Sequence, residues 1–66
     1  MVIIVNGKEE RYAESLSISD LLKLKDVNPD DVVVELNMDI VSKIGYSGIF
    51  LQDRDIVEIL RFVGGG

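Results

Sequence analysis

Val2-Ile3-Ile4-Val5 is an unbroken run of β-branched residues. Such a run reads as a strand, because branched side chains pack well on a pleated surface. It reaches Asn6-Gly7, the strongest short hairpin signal, since both positions tolerate positive φ. The polar stretch Glu9-Glu10-Arg11-Tyr12-Ala13-Glu14 then returns as an edge strand beside it. From residue 16 to 25 the period changes. Ile18, Leu21 and Leu22, with the aliphatic stem of Lys25, fall on one face of a short helix. Ser17 is placed to cap it and Asp20, three residues on, to complete a capping box. Pro29 disfavours helix at Asn28, so residues 26–31 read as a turn, with Val27 tucked beneath the helix end.

Val32-Val33-Val34-Glu35-Leu36-Asn37 reads as a strand buried on the face of Val34 and Leu36, turned by Met38-Asp39 into a short Ile40-Val41 strand. Residues 43–48 read as irregular, with Gly45 and Gly48 bracketing Tyr46. Ile49-Phe50-Leu51 is a short apolar segment, and residues 52–55 form a turn into the final strand, Ile56-Val57-Glu58-Ile59-Leu60-Arg61-Phe62-Val63. This order predicts an α+β domain: a mixed four- to five-stranded sheet with one helix packed across one face. The first and last strands are the most apolar, which places them side by side at the sheet centre.

Sixty-six residues make one domain, near the lower size limit for unaided folding. Its core is drawn from Ile, Val and Leu, since there are only two Phe, two Tyr and no Trp. Cysteine and histidine are both absent, which removes disulfides, the usual nucleophile, the usual near-neutral base and the commonest transition-metal ligands. Catalysis by this chain alone is therefore not expected, and neither is a bound metal or cofactor. A formal charge of −5 and a pI near 4.4 disfavour nucleic acid and anionic membranes and favour basic protein partners. With no apolar run of about 20 residues and no signal sequence at its start, the expected location is the cytoplasm. The pairs Asp30-Asp31 and Asp53/Asp55 match no calcium-loop spacing and read as solvated turns.

The last strand opens directly into Gly64-Gly65-Gly66. Three glycines hold no single conformation unaided, so residues 64–66 are expected to form a flexible tail on a domain of residues 1–63. Without Cβ atoms the tail can thread a narrow channel, and its carboxylate is ionised at neutral pH. A frayed end or cloning scar is the other reading. The glycines abut Phe62-Val63 with no polar spacer, which favours presentation of the carboxylate to another protein's active site.

Taken together, the Asn6-Gly7 hairpin, the Ser19-Asp20-Leu21-Leu22 helix, the strand from Val32, the Asp53-Arg54-Asp55 turn and Val57-Glu58-Ile59 running into Phe62-Val63-Gly64-Gly65-Gly66 resemble the ThiS family over the whole chain. These are the sulfur carriers of thiamine biosynthesis, with a ubiquitin-like β-grasp fold. The resemblance implies a protein co-substrate rather than an enzyme. A ThiF-like activating enzyme would use ATP to adenylate the carboxylate of Gly66, with Gly64 and Gly65 threading its active site. A persulfide donor would replace the adenylate to give a thiocarboxylate, whose sulfur passes to a ThiG-like thiazole synthase. Asn37-Met38-Asp39 departs from the Gly-containing turn common in the family. Other readings are a carrier like the small subunit of molybdopterin synthase, a ubiquitin-like modifier joined to lysines, and a passive interaction module.

If Val57 and Ile59 face the helix, the two-residue period sends Ile56, Glu58, Leu60 and Phe62 to the other sheet face. Leu60 and Phe62 are then candidates for a docking patch, with Glu58 and Arg61 as ionic contacts for a partner. Arg61 has a second reading, as the partner of an acidic neighbour. The patch has one too, in which Tyr46 or Phe50 covers it.

Overall fold

The computed structural model describes residues 1–62; residues 63–66, and the expected glycine tail with them, lie outside the described residues. In chain order the elements are β1 (Val2–Val5), β2 (Lys8–Arg11), α1 (Ile18–Leu24), β3 (Val32–Leu36), β4 (Asp39–Val41) and β5 (Ile56–Arg61). The five strands form one sheet in the order β2-β1-β5-β3-β4. All neighbours are antiparallel except β1 and β5, which run parallel. The last strand, β5, is therefore the middle of the sheet, with β1 on one side of it.

The β1–β2 turn is the one that Asn-Gly favours: Asn6 and Gly7 both take positive φ, 49° and 84°. The β3–β4 connection reaches the same left-handed region without glycine, at Asn37 (φ 50°) and Met38 (φ 76°). Asn tolerates that conformation better than most residues, and the Asn37 side chain is held by the start of β5: Oδ1 accepts from Ile56 N and Nδ2 donates to Asp55 Oδ1. The polar return strand is shorter than residues 9–14. The register pairs Val2 with Arg11, and Tyr12 N donates to the Met1 carbonyl, so Ala13 and Glu14 lie past the end of the pairing and the chain bends.

Ser17 caps α1 through the full capping box: Asp20 N donates to Ser17 Oγ and Ser17 N donates to Asp20 Oδ2, both at 3.0 Å. With Ser17 as its cap, the helix proper begins at Ile18. At the other end Asp26 takes φ 56°, with Asp26 N donating to the Lys23 carbonyl and Val27 N to the Leu22 carbonyl. This is the two-bond Schellman stop, with Asp where Gly is usual, and it folds Val27 back against the core. Asn28 then caps a 3-10 turn, Pro29–Asp31, that leads into β3.

The core is one cluster between sheet and helix. Ile3 and Val5 of β1, Val32 and Val34 of β3 and Val57 of β5 meet Ile18, Leu21 and Leu22 of α1, and Tyr46 and Leu51 from the long β4–β5 connection join them. That connection is less irregular than its composition suggests, because it contains a 3-10 turn, Lys43–Gly45. Lys25 at the helix end pairs with Glu10 of β2, and Tyr12 Oη donates to the same carboxylate at 2.6 Å, tying helix to sheet edge. Among the described residues no helix is long and apolar enough to cross a membrane.

Candidate docking face and terminus

β5 is held at its start by a cluster of side-chain caps. Asp53 Oδ1 accepts from Val2 N at 2.7 Å and Asp55 Oδ2 from Gln52 N at 2.8 Å, while Asn37 N donates to the Ile56 carbonyl at 2.8 Å. The Asp55 carboxylate thus closes the turn before β5, and the Asp53 carboxylate ties that turn to the start of β1. No group of three or more metal-ligating side chains occurs among the described residues.

From Ile56 the strand alternates as its period dictates. Val57 is fully buried and Ile59 packs against the core, whereas Ile56, Leu60 and Phe62 are 46%, 47% and 58% exposed. These exposures decide between the two readings of the patch. Tyr46 is buried in the core, where its carbonyl accepts from Ser19 N, and Phe50 is itself exposed beside Ser17. Among the described residues, the sheet face opposite the helix is open.

Cross-strand pairing shows what accompanies Leu60 on that face. Leu60 lies opposite Val33, and Ile56 opposite Ile4. Glu58 lies opposite Glu35, whose other neighbour is Ile40 on β4. The open face is thus apolar around two carboxylates held side by side, and among the described residues neither makes an ion pair. Like charges directly opposite oppose sheet pairing. Arg61, opposite Val32, falls on the alternate side of β5 from Leu60 and Phe62, is exposed, and forms no ion pair among the described residues. Phe62 N donates to the Asp31 carbonyl at 2.9 Å, extending the β3 side of the ladder past the strand's end.

The candidate residues Glu58, Leu60, Arg61 and Phe62 therefore lie within five residues of one strand end, three on the open face and Arg61 on the other. Gly64, Gly65 and Gly66, named for threading and for the reacting carboxylate, lie outside the described residues. Sequence reasoning did not identify Glu35 and Val33, although their alternation with Val34 within one strand carried the signal. It read Asn6 only as a turn residue.

A mixed five-stranded sheet with a parallel central pair and one helix across one face defines a β-grasp protein of the ubiquitin-like class. The ThiS family model matches residues 3–66. The chain is 40% identical over 63 residues to the sulfur carrier protein ThiS of Bacillus subtilis, covering 94% of this chain and 96% of that one. The crystal structure of the thiamine biosynthesis protein ThiS from Geobacter metallireducens superposes with a TM-score of 0.85 at 39% identity, over the full length of both chains. Thiazole synthase of Paramagnetospirillum magneticum is 36% identical over 66 residues, where this chain spans only 20% of its relative's length. The chain belongs to the ThiS family.

Proposed function

We propose that this protein is a sulfur carrier of thiamine biosynthesis whose C-terminal carboxylate, at Gly66, is the group that other proteins load and unload. The observation that carries the reading is the match to the Bacillus subtilis carrier over nearly the whole of both chains. Composition accords with it, since a chain with neither Cys nor His lacks the usual nucleophile and the usual near-neutral base.

In this reading a ThiF-like enzyme condenses the carboxylate with ATP, releasing pyrophosphate and leaving an acyl adenylate. The outer sulfur of a donor protein's persulfide attacks the acyl carbon and AMP departs. A thiol then cleaves the resulting acyl disulfide, freeing a thiocarboxylate while the donor's sulfur is taken into a new disulfide. ATP is consumed at the partner's active site, and no cofactor is assigned to the carrier. The recipient is a ThiG-like thiazole synthase. The Paramagnetospirillum magneticum relative supports this, because there a segment matching this whole chain sits within a polypeptide named thiazole synthase. Docking falls to the open sheet face, with Leu60 and Phe62 as apolar anchors, Glu58 beside them and Arg61 at the strand end.

Incubation with ATP, the activating enzyme and a persulfide donor is expected to raise the intact mass by roughly 16 Da, the difference between sulfur and oxygen in a covalent acyl product. Removal of the last two glycines should abolish the change. Adducts joined to lysine would instead identify a modifier, and an unchanged mass with an enzyme active on another carrier would leave only passive binding.

A further inference from the structure

The hairpin turn explains the backbone of Asn6 but not the course of its side chain. The carboxamide crosses to a residue 53 positions away: Ile59 N donates to Asn6 Oδ1 at 2.7 Å, and Asn6 Nδ2 donates to the Ile59 carbonyl at 3.3 Å. Beside it, Asn6 N donates to the Val57 carbonyl at 2.9 Å. A carboxamide carries a donor and an acceptor as a peptide unit does, so Asn6 acts as one more residue of β1 after the backbone has turned away.

Its position gives this extension a consequence. The parallel ladder between β1 and β5 contains only the pairs Ile4–Ile56 and Val5–Val57. Without the carboxamide, β5 beyond Val57 would be held from its β3 side alone. With it, Ile59 is the last position of β5 tied on the β1 side among the described residues. Gly66 is the seventh residue after Ile59, an extended reach of at most about 25 Å. The clamp therefore shortens by two residues the one-sided stretch that leads to the reacting group.

We propose that Asn6 is a positioning residue for the carrier's terminus: by pinning Ile59 it lowers the ordering cost of delivering the C-terminal carboxylate to the activating enzyme. The proposal rests on the sulfur-carrier reading. It separates Asn6 from a residue that only makes a turn, because glycine serves the turn equally well and lacks the carboxamide.

The test is adenylation of the full-length carrier by the activating enzyme, followed by ATP–pyrophosphate exchange across a range of carrier concentrations, well below the unfolding temperature. Asn6→Gly keeps a turn that accepts positive φ and deletes the clamp. It should raise the KM for the carrier about three- to tenfold with kcat within about twofold, the pattern of lost preorganisation before chemistry. In the free variant the Ile59 amide should exchange with solvent faster, while the Leu60 amide, on the β3 side, keeps its protection. Asn6→Asp retains the acceptor and loses the donor, and should fall between the two. An unchanged KM in a folded variant whose Ile59 amide has been released overturns the proposal. Absence of exchange with the unsubstituted protein overturns the carrier reading itself, and the two failures are told apart because the second appears before any substitution.

Discussion

Glu10 is the residue on which a local electrostatic balance can be read. Partial burial acts against its charge, but the Lys25 ammonium and the Tyr12 hydroxyl both donate to it and together hold its carboxyl below the ordinary value. The same bond acts in reverse on its donor: the hydrogen bond to Glu10, with burial and the nearby negative charge, pushes the Tyr12 phenol up to about 12. A phenol pKa raised on folding favours the protonated form, so this contribution to stability is complete below the ordinary value near 10 and is lost as pH rises from there toward 12. Glu10→Gln should return the Tyr12 titration, followed by the NMR shift of its ring carbon, toward 10. A phenol still titrating near 12 in that variant would show that Glu10 is not the cause. None of this was legible in the sequence, where Glu10 and Tyr12 read as two polar residues of an edge strand. Their meeting with Lys25, 15 positions after Glu10, is set by how the helix lies across the sheet.

At the scale of elements, α1 shows how few residues specify a helix that cannot persist alone. Seven residues are too short for intrinsic stability, so the cap and the buried face of Ile18, Leu21 and Leu22 must hold it. Ser17→Ala removes the acceptor for Asp20 N at a buried site and should cost about 1 kcal/mol, lowering the melting temperature by about 4–8 °C. The backbone N–H and then the hydroxyl of Ser17 hold the Asp20 carboxyl below its usual value. Because the folded pKa is the lower one, that contribution is present above the ordinary carboxylate range and disappears as pH falls through the folded value. Urea titrations from neutrality into acid should show the midpoint declining over that interval, and a flat acid limb would contradict it. The helix and its cap were legible because both signals are local: a hydrophobic period and a serine three residues ahead of an acid. Strand lengths were not, because a strand stops where its partner stops, and the register that decides this for β2 belongs to the pair.

For the molecule as a whole, the sheet has one face spent on the core and one left open beside the strand that carries the terminus. Phe62 is 58% exposed on that open side, so Phe62→Asp should leave the melting temperature within a few degrees while weakening association with the activating enzyme about tenfold or more. A large fall in melting temperature would instead make Phe62 part of the core. The central placing of β1 and β5 was legible because their aliphatic runs, Val2 to Val5 and Ile56 to Leu60 broken only by Glu58, suit strands flanked on both sides. The Glu35–Glu58 opposition was not, since it depends on how β3 registers against β5, and no local signal carries that register.

Because β5 joins the β2-β1 hairpin to the β3-β4 hairpin, the two halves of the sheet meet along a single strand. Take β5 away and two hairpins and a helix remain with no seam between them, so the sheet is expected to close and to open as one cooperative unit.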